Sequence, residues 1–472
     1  MLQIHPNTFK SMTRKTTYSL LALSMVLLTG CMVGKKYTRP TVSTSISYPD
    51  ATKTDTSALA TWFEVYHDTA LQTLIKMGID SNRDLLAAAS RMQQALALSG
   101  AVKANMYPKL SYQAAAGGGK AGTEALKVNG GVDGGLLNVF GVLNWELDIW
   151  GKLRLQSQSS VDNFLATKAN RDALQVSLVA EIATDYFLLR DLDNELMISE
   201  STLEGRRKNT KIISDKFQHG YVSELDLLQA QQQEAIAAAA VPGFRRQIIL
   251  TENAIRVLIG LGPGPIVRGA SNYDQILSPD IPVGLPSQLL ERRPDVVASE
   301  FDLQSQFARI GIAQANRFPS ISLTGVLGFA SPQLSTLLSS QGLVANGFGS
   351  LVGPLFNWGQ NKKLVEVQRH RTEVLYYQYQ QTTLNAFAEV DNALSSYRNL
   401  NEEHLARKQQ VDAASKALML SQARYDNGYT SYLEVIIMQT NLFEAELLES
   451  STLQQKLNSI VSLYKALGGG WN

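Results

Sequence analysis

The chain states much of itself twice, and that constrains its fold more than any other feature. The stretch FQHGYVSELDLLQAQ, Phe217 to Gln231, returns as YDNGYTSYLEVIIMQ, Tyr425 to Gln439. Gly220, Tyr221, Ser223, Leu225 and Gln231 come back as Gly428, Tyr429, Ser431, Leu433 and Gln439, each 208 positions later, and Glu434 answers Asp226. Trp150-Gly151-Lys152 is answered by Trp358-Gly359-Gln360 at the same offset, and Leu258-Ile259-Gly260 falls opposite Ala466-Leu467-Gly468. Ala104-Asn105 and Pro108 are answered by Ala315-Asn316 and Pro319 at an offset of 211. A repeat this long organises everything inside it. It divides the chain into a first half over 69–260 and a second over 290–468, with a tail at 469–472. The connector 261–289 carries Gly262, Pro263, Gly264, Pro265, Pro279, Pro282 and Pro286, as suits a surface linker.

Within each half the periodicity changes in one order. Leu85, Ala89, Met92, Leu96, Ser99, Val102 and Met106 step by three and four, which predicts one amphipathic helix ending before Pro108. The period then drops to two, predicting strand hairpins over 109–149 and 319–357, the second with a return strand near 347–356. From Lys152 to Gln218, and again from Gly359 to Asp426, there is no proline. Each such run, as a helix, makes a rod about 100 Å long, and helices of that length belong to coiled-coil-like assemblies. The repeated sentence sits where each rod ends. Gly220 and Gly428 are C-cap glycines. Ser223 and Ser431 can cap the next helix, whose first turn carries Glu224 and Asp226, or Glu434. Each half therefore holds a long helical hairpin with its tip near 220 or 428. Pro242-Gly243 is expected to interrupt and kink the return helix.

Two strand hairpins give four strands, too few to close a barrel, since outer-membrane barrels start at about eight. If these strands span a membrane, several chains must share one barrel, because an open edge in hydrocarbon leaves backbone groups unpaired. A small soluble β-domain fits the same alternation. Lys+Arg of 43 against Asp+Glu of 42 offers nucleic acid no electrostatic footprint.

At the N-terminus, Lys10, Arg14 and Lys15 precede an apolar run from Tyr18 to Leu28, the layout of a secretory signal over 1–30. Leu28-Thr29-Gly30-Cys31 resembles the lipobox of bacterial lipoproteins, making Cys31 the expected lipidation site and 31–68 a lipidated extended segment. A plain secreted protein with an idle thiol is the alternative. Cys31 is the only cysteine, which leaves no disulfide or cysteine-rich metal site.

These residues together carry a family resemblance. The chain resembles the outer membrane factors of the TolC/OprM type, the exit ducts of bacterial efflux and secretion systems. The matching features are the lipobox, Tyr37 with Pro40, Trp62-Phe63 with Asp68 and Leu71, Leu290-Glu291-Arg292-Arg293-Pro294-Asp295, and the tip pattern met twice; they cover 31–472. The resemblance implies an α+β membrane protein: a homotrimer whose β-barrel, four strands per chain, crosses the outer membrane of a Gram-negative bacterium and continues into a periplasmic α-helical barrel. It implies passive export, a periplasmic adaptor, an inner-membrane transporter, contact with outer-membrane lipid, and no cofactor beyond the lipid on Cys31. It also implies extracellular loops at 117–135 and 331–346, and a closed tip lined by acids.

Asp226 and Glu434, six residues past each tip glycine, fit such a gate. Nine residues past, where many members carry a second acid, stand Gln229 and Ile437. One acidic layer with an apolar constriction at Ile437 is therefore expected. Both acids equally suit the first turn of a helix, where they offset the dipole. Gly220, Tyr221, Ser223, Gly428, Tyr429 and Ser431 either contact the adaptor or pack the turn. Trp145 suits an aromatic belt or plain packing.

Nothing in the sequence argues catalysis or a metal. His67, His219, His370 and His404 are scattered without HExxH spacing, and no GxSxG elbow occurs. Gly260-Leu261-Gly262-Pro263-Gly264 follows a helix and carries proline, so it reads as connector rather than nucleotide loop. A lipid-anchored coiled-coil scaffold or adhesin explains anchor and rods without transport. An adaptor would carry one hairpin, not two.

Overall fold

The computed structural model describes residues 33–40, 67–119, 134–275 and 292–469. Cys31, Trp62-Phe63, Leu290-Glu291 and most of the glycine-rich span 117–135 lie outside them. One compact unit is built from 33–40, 92–119, 134–166 and 299–379; a second from 67–91, 167–275, 292–298 and 380–469.

The first unit holds the strands. β1 (Lys109–Gly119), β2 (Gly134–Leu147), β3 (Ser320–Ser331) and β4 (Leu343–Val352) form one sheet in that order, antiparallel throughout. Opposed residues in such a ladder point to the same face. Leu110 faces Leu143, which faces Gly325, which faces Gly347; Tyr112, Gly141, Leu327 and Ala345 form the next row. Followed along the strands, this face carries Ala114, Val139, Trp145, Leu147, Ile321, Leu323, Phe329, Leu343 and Leu351, and no polar side chain from Leu137 to Leu147 or from Ile321 to Phe329. The opposite face carries Ser111, Gln113, Asn144, Glu146, Ser320, Ser322, Thr324 and Ser350. The apolar face is uncovered, with Tyr112 88% and Leu110 79% exposed.

The return strand differs from the expected 347–356. Its ladder starts at Ser320↔Val352. Gly353 then lies so close to Pro319 that a Cβ would stand 2.7 Å from its Cα, and Pro354 has no N–H to give a ladder. The expected loop over 331–346 shortens to match, with turns at Leu334–Thr336 and Ser340–Gly342. The segment 33–40 lies on this unit through Val33 N–H donating to the Trp150 carbonyl (3.0 Å), Tyr37 against Phe307, and an Arg39–Glu300 ion pair (2.7 Å).

The helices repeat in length. α1 (Thr69–Ser81) and α2 (Arg83–Ala104) precede the first hairpin, where one helix was expected. Asn82 splits them by taking an extended backbone conformation and capping α2, its Oδ1 accepting from Leu85 N–H (2.9 Å). α3 (Lys152–Gln218) and α4 (Glu224–Leu258) follow the first hairpin; α5 (Pro294–Ala315) precedes the second. α6 (Gln360–Asp426) and α7 (Tyr432–Ala466) follow it, repeating the 67- and 35-residue lengths of α3 and α4. The expected interruption at Pro242-Gly243 does not occur: α4 runs on through Pro242. Burial of Val241 and Ala237 against Leu203 offsets the lost backbone bond. Among the described residues no helix is long and apolar enough to cross a membrane.

The second unit is held by a buried cluster from α1, α3, α4 and α7, including Leu71, Ile75, Ile182, Tyr186, Phe187, Ile255, Ile460 and Tyr464. Asp68 ties the connector to it. Its carboxylate caps α1 at Ala70 N–H (2.8 Å) and accepts from Tyr186 OH (2.7 Å), Ala270 N–H (3.0 Å) and Gln275 Nε2 (3.0 Å). Burial pushes its pKa up, but these donors outweigh burial and hold it below the ordinary value. The helix C-termini are closed in parallel ways. Asn82 donates to the Leu258 carbonyl ending α4 (2.9 Å), and Arg293, 211 positions on, donates to the Ala466 carbonyl ending α7 (3.2 Å).

α3 also buries acids. Burial, reinforced by Asp191, pushes Glu195 up to about 8. Asp191 is pushed up to about 6 by burial, with Ser450 opposing and Glu449 adding to the rise. A carboxyl raised in the folded state binds its proton more tightly there than in the unfolded chain. Its contribution to stability is complete below the ordinary value of 4.5 and is lost as pH rises through about 8. Glu195→Gln is therefore expected to leave thermal stability unchanged near pH 5 and to raise it above pH 8. An equal gain at both pH values in a thermal melt would rule this out.

Candidate functional site

The repeated sentence folds into two tips built from the same bonds. At the first, Tyr221 N–H donates to the Lys216 carbonyl (2.9 Å) and Gly220 N–H to that of Phe217 (2.9 Å). At the second, Tyr429 N–H donates to Arg424 (2.9 Å) and Gly428 N–H to Tyr425 (3.0 Å). This is the Schellman closure, which needs a residue in the left-handed region; Gly220 has φ 74° and Gly428 φ 76°. Tyr221 and Tyr429 project from the tips, 80% and 77% exposed.

The acids are handled differently. Asp226 completes a capping box: its Oδ2 accepts from Ser223 N–H (3.0 Å) and Ser223 Oγ (2.8 Å), while Asp226 N–H donates to Ser223 Oγ (3.2 Å). Ser431 occupies the same position before α7 but makes no side-chain cap bond. Glu434 is held instead by Arg424 Nη1 (3.1 Å) and by the Thr430 hydroxyl. Neither Arg424 nor Thr430 is among the residues that the repeated stretch marks. Arg424 answers Lys216 as the basic residue of the last turn, a usable signal; Thr430 answers an apolar Val222 and gave none.

The tips also touch one another. Ile213 and Ala230 of the first hairpin are buried with Tyr432, Val435 and Ile436 of the second. Lys216 Nζ lies 4.8 Å from the Tyr425 ring centre, a cation–π contact across hairpins, and Tyr425 lies 5.3 Å from Tyr432. Asp226 faces both tyrosines. Tyr432 is pushed up to about 12, mainly by burial, then by Tyr425 and, after an opposing pull from Arg206, by Asp226. Ile437 is exposed on α7. A shallow groove of about 500 Å³ on the second hairpin is lined by Leu420, Arg424, Tyr429, Glu434 and Met438. Among the described residues no three His, Cys, Asp or Glu side chains group as metal ligands.

A sheet with one uncovered apolar face, joined to long helical hairpins, is the chain fold of an outer-membrane channel. The outer membrane efflux protein family matches residues 74–261 and 285–469, one block per half. The chain is 30% identical over 472 residues to the probable efflux pump outer membrane protein TtgC of Pseudomonas putida, covering 96% of each. It is 30% identical over 454 residues to the cation efflux system protein CusC of Escherichia coli, covering 94% of this chain and 96% of that one. The solved outer-membrane channel OprN superposes with a TM-score of 0.87 at 28% identity, over 93% of this chain and all of that one. The chain belongs to the outer membrane efflux protein family, and its place is the outer membrane.

The tip glycines can be tested directly. A Cβ at Gly220 or Gly428 would meet nothing within 4 Å, so only backbone conformation opposes a side chain. Gly428→Ala is expected to cost about 1–2 kcal/mol of local stability, read as faster amide exchange over 425–436, and Gly428→Asn less. Equal protection in Gly428→Ala and the wild type would show that the tip does not depend on this turn.

Proposed function

We propose that three copies of the chain form a passive exit duct, twelve strands closing a barrel in the outer membrane and twelve long helices forming a tunnel in the periplasm. The uncovered apolar face of a sheet whose two edge strands find no further strand among the described residues carries this reading. Strands of 10 to 14 residues suit a membrane crossing, which takes about 9–11 when tilted. The drive comes from an inner-membrane transporter, reached through a periplasmic adaptor that meets the tips at Tyr221, Tyr429 and Ser431. Relatives are named for toluene, antibiotics and cations, so the family serves chemically diverse cargo. The duct takes no cofactor in this reading and carries a lipid on Cys31. Replacing Cys31 with Ser should abolish incorporation of labelled palmitate; retained label would place the lipid elsewhere.

Threefold symmetry would bring the Asp226 and Glu434 copies together at the closed end, with Ile437 beyond them. Like charges so arranged repel, and opening relieves them. At the same time each acid is bonded within its own hairpin, Asp226 in a capping box and Glu434 to Arg424 and Thr430, which supports a structural role. Single-channel conductance in planar bilayers separates the two. Small openings in the wild type that widen in Asp226→Ala/Glu434→Ala would establish gating at the tips. Unchanged conductance would leave Asp226 as part of a helix cap, worth about 1 kcal/mol, and Glu434 as the partner of an exposed ion pair, worth about 0–1 kcal/mol. No conductance from a verified trimer would overturn the duct and favour a lipid-anchored scaffold.

A further inference from the structure

The two halves match closely around their strands. Lys109↔Asn144 in the first hairpin corresponds to Ser320↔Val352 in the second, so both share one register under the 211 and 208 offsets. Before the first strand of each, Tyr107 N–H donates to Ala104 (3.2 Å) as Phe318 N–H does to Ala315 (3.0 Å). After the second strand of each, Leu143, Leu147 and Trp150-Gly151 return as Leu351, Leu355 and Trp358-Gly359.

Where the two hairpins meet inside the chain, β2 pairs with β3 and an aromatic clasp closes the end of the ladder. Trp150 stacks on Phe318, ring centres 4.8 Å apart and 24° between planes, and its Nε1–H donates to the Pro319 carbonyl (2.7 Å). The same parts recur on the outer strands. Trp358 answers Trp150 after β4; Tyr107 and Pro108 answer Phe318 and Pro319 before β1. Yet β4 and β1 are opposite edges of the sheet, so within one chain this clasp stays open. Trp358 is 89% exposed and folded onto Phe356, and among the described residues no hydrogen bond reaches its indole N–H. It is also the one described non-glycine residue with positive φ, 52°, a left-handed conformation that strains a bulky side chain. Tyr107 is likewise exposed. An exposed, strained tryptophan and an exposed aromatic–proline seat are complementary halves of a contact the chain already makes once.

We propose that Trp358 of one copy closes this clasp on a second copy, stacking on Tyr107 of the partner subunit and donating its Nε1–H to the carbonyl of Pro108 of the partner subunit. The inference rests on the multichain barrel proposed above and fixes how neighbouring chains meet. The β2–β3 pairs Val142↔Val326 and Leu143↔Gly325 translate into β4–β1 pairs between copies. Ser350 stands opposite Ala115 of the partner subunit, and Leu351 opposite Ala114 of the partner subunit. This register continues the apolar face around the barrel, since Leu351 and Ala114 both lie on it. Docking lets Trp358 leave the left-handed region for the conformation of Trp150, so the strain held by the separate chain favours association.

Cysteine cross-linking of the full-length trimer tests the register. Ala115→Cys/Ser350→Cys is expected to give covalent dimers and trimers on oxidation, because directly opposed Cβ atoms lie within disulfide reach. Ala114→Cys/Ser350→Cys puts the thiols on opposite faces and is expected to give none, nor does wild type with Cys31 alone. Trp358→Ala and Tyr107→Ala should each lower the temperature at which the trimer dissociates, with the double variant no worse than the single ones; Trp358→Phe should recover part of the loss. A trimer that fails to cross-link at 115/350, or that is indifferent to Trp358→Ala, overturns the clasp and leaves the channel standing. A protein that stays monomeric in lipid overturns both.

Discussion

The backbone groups on the outer edges of β1 and β4 are the constraint on which everything else depends. In water they would be solvated. In hydrocarbon each unpaired N–H or C=O costs several kcal/mol, and the apolar face of this sheet belongs in hydrocarbon. The sheet cannot cure the defect alone, because four strands cannot curl far enough for β4 to reach β1. Copies of the chain can. No helix needs to be apolar enough for lipid, which is why the composition looks that of a soluble protein.

The long helices raise a second accounting problem, since each ends with carbonyls that lack partners. All four are closed by one device. Gly220, Gly260, Gly428 and Gly468 stand in the left-handed region with φ of 74°, 73°, 76° and 95°, and the paired Schellman bonds form at each. At the tips the glycines have open space around them. Gly260 and Gly468 instead lie against Ser81 and Arg293, where the ends of α4 and α7 meet the residues that start α2 and α5. The remaining carbonyls are taken by Asn82 in one half and Arg293 in the other. Arg293 also carries two carboxylates, Asp295 (2.8 Å) and Glu389, so the second half replaces an amide with a buried charge that needs partners.

What was legible in the sequence was what repeats. The long helices, the tip glycines and the strand pairs could be placed because each signal occurs twice at a fixed offset, and two weak signals in register make a strong one. What depends on a single long-range contact was not legible. The capping of α2 by Asn82 just ahead of the apolar stripe, the passage of α4 through Pro242, and the capture of Glu434 by Arg424 are decided by partners the local pattern does not announce. The end of β4 is a middle case: Pro354 was visible, but the approach of Gly353 to Pro319 that fixes the last rung was not.

The departures from the repeat are more informative about function than its agreements. Identical hairpins would make a sixfold tip in a trimer, with every contact equivalent. Here Asp226 is engaged in its capping box, whereas Glu434 is held by a solvent-exposed arginine and a threonine. An exposed ion pair of this kind is worth about 0–1 kcal/mol, less than a cap bond set by local geometry. Of the two hairpins, the second therefore has the looser acid and the groove beside it, and the first is the better braced. Thr430 and Arg424, where the first hairpin has Val222 and Lys216, give the second acid a different set of partners from the first.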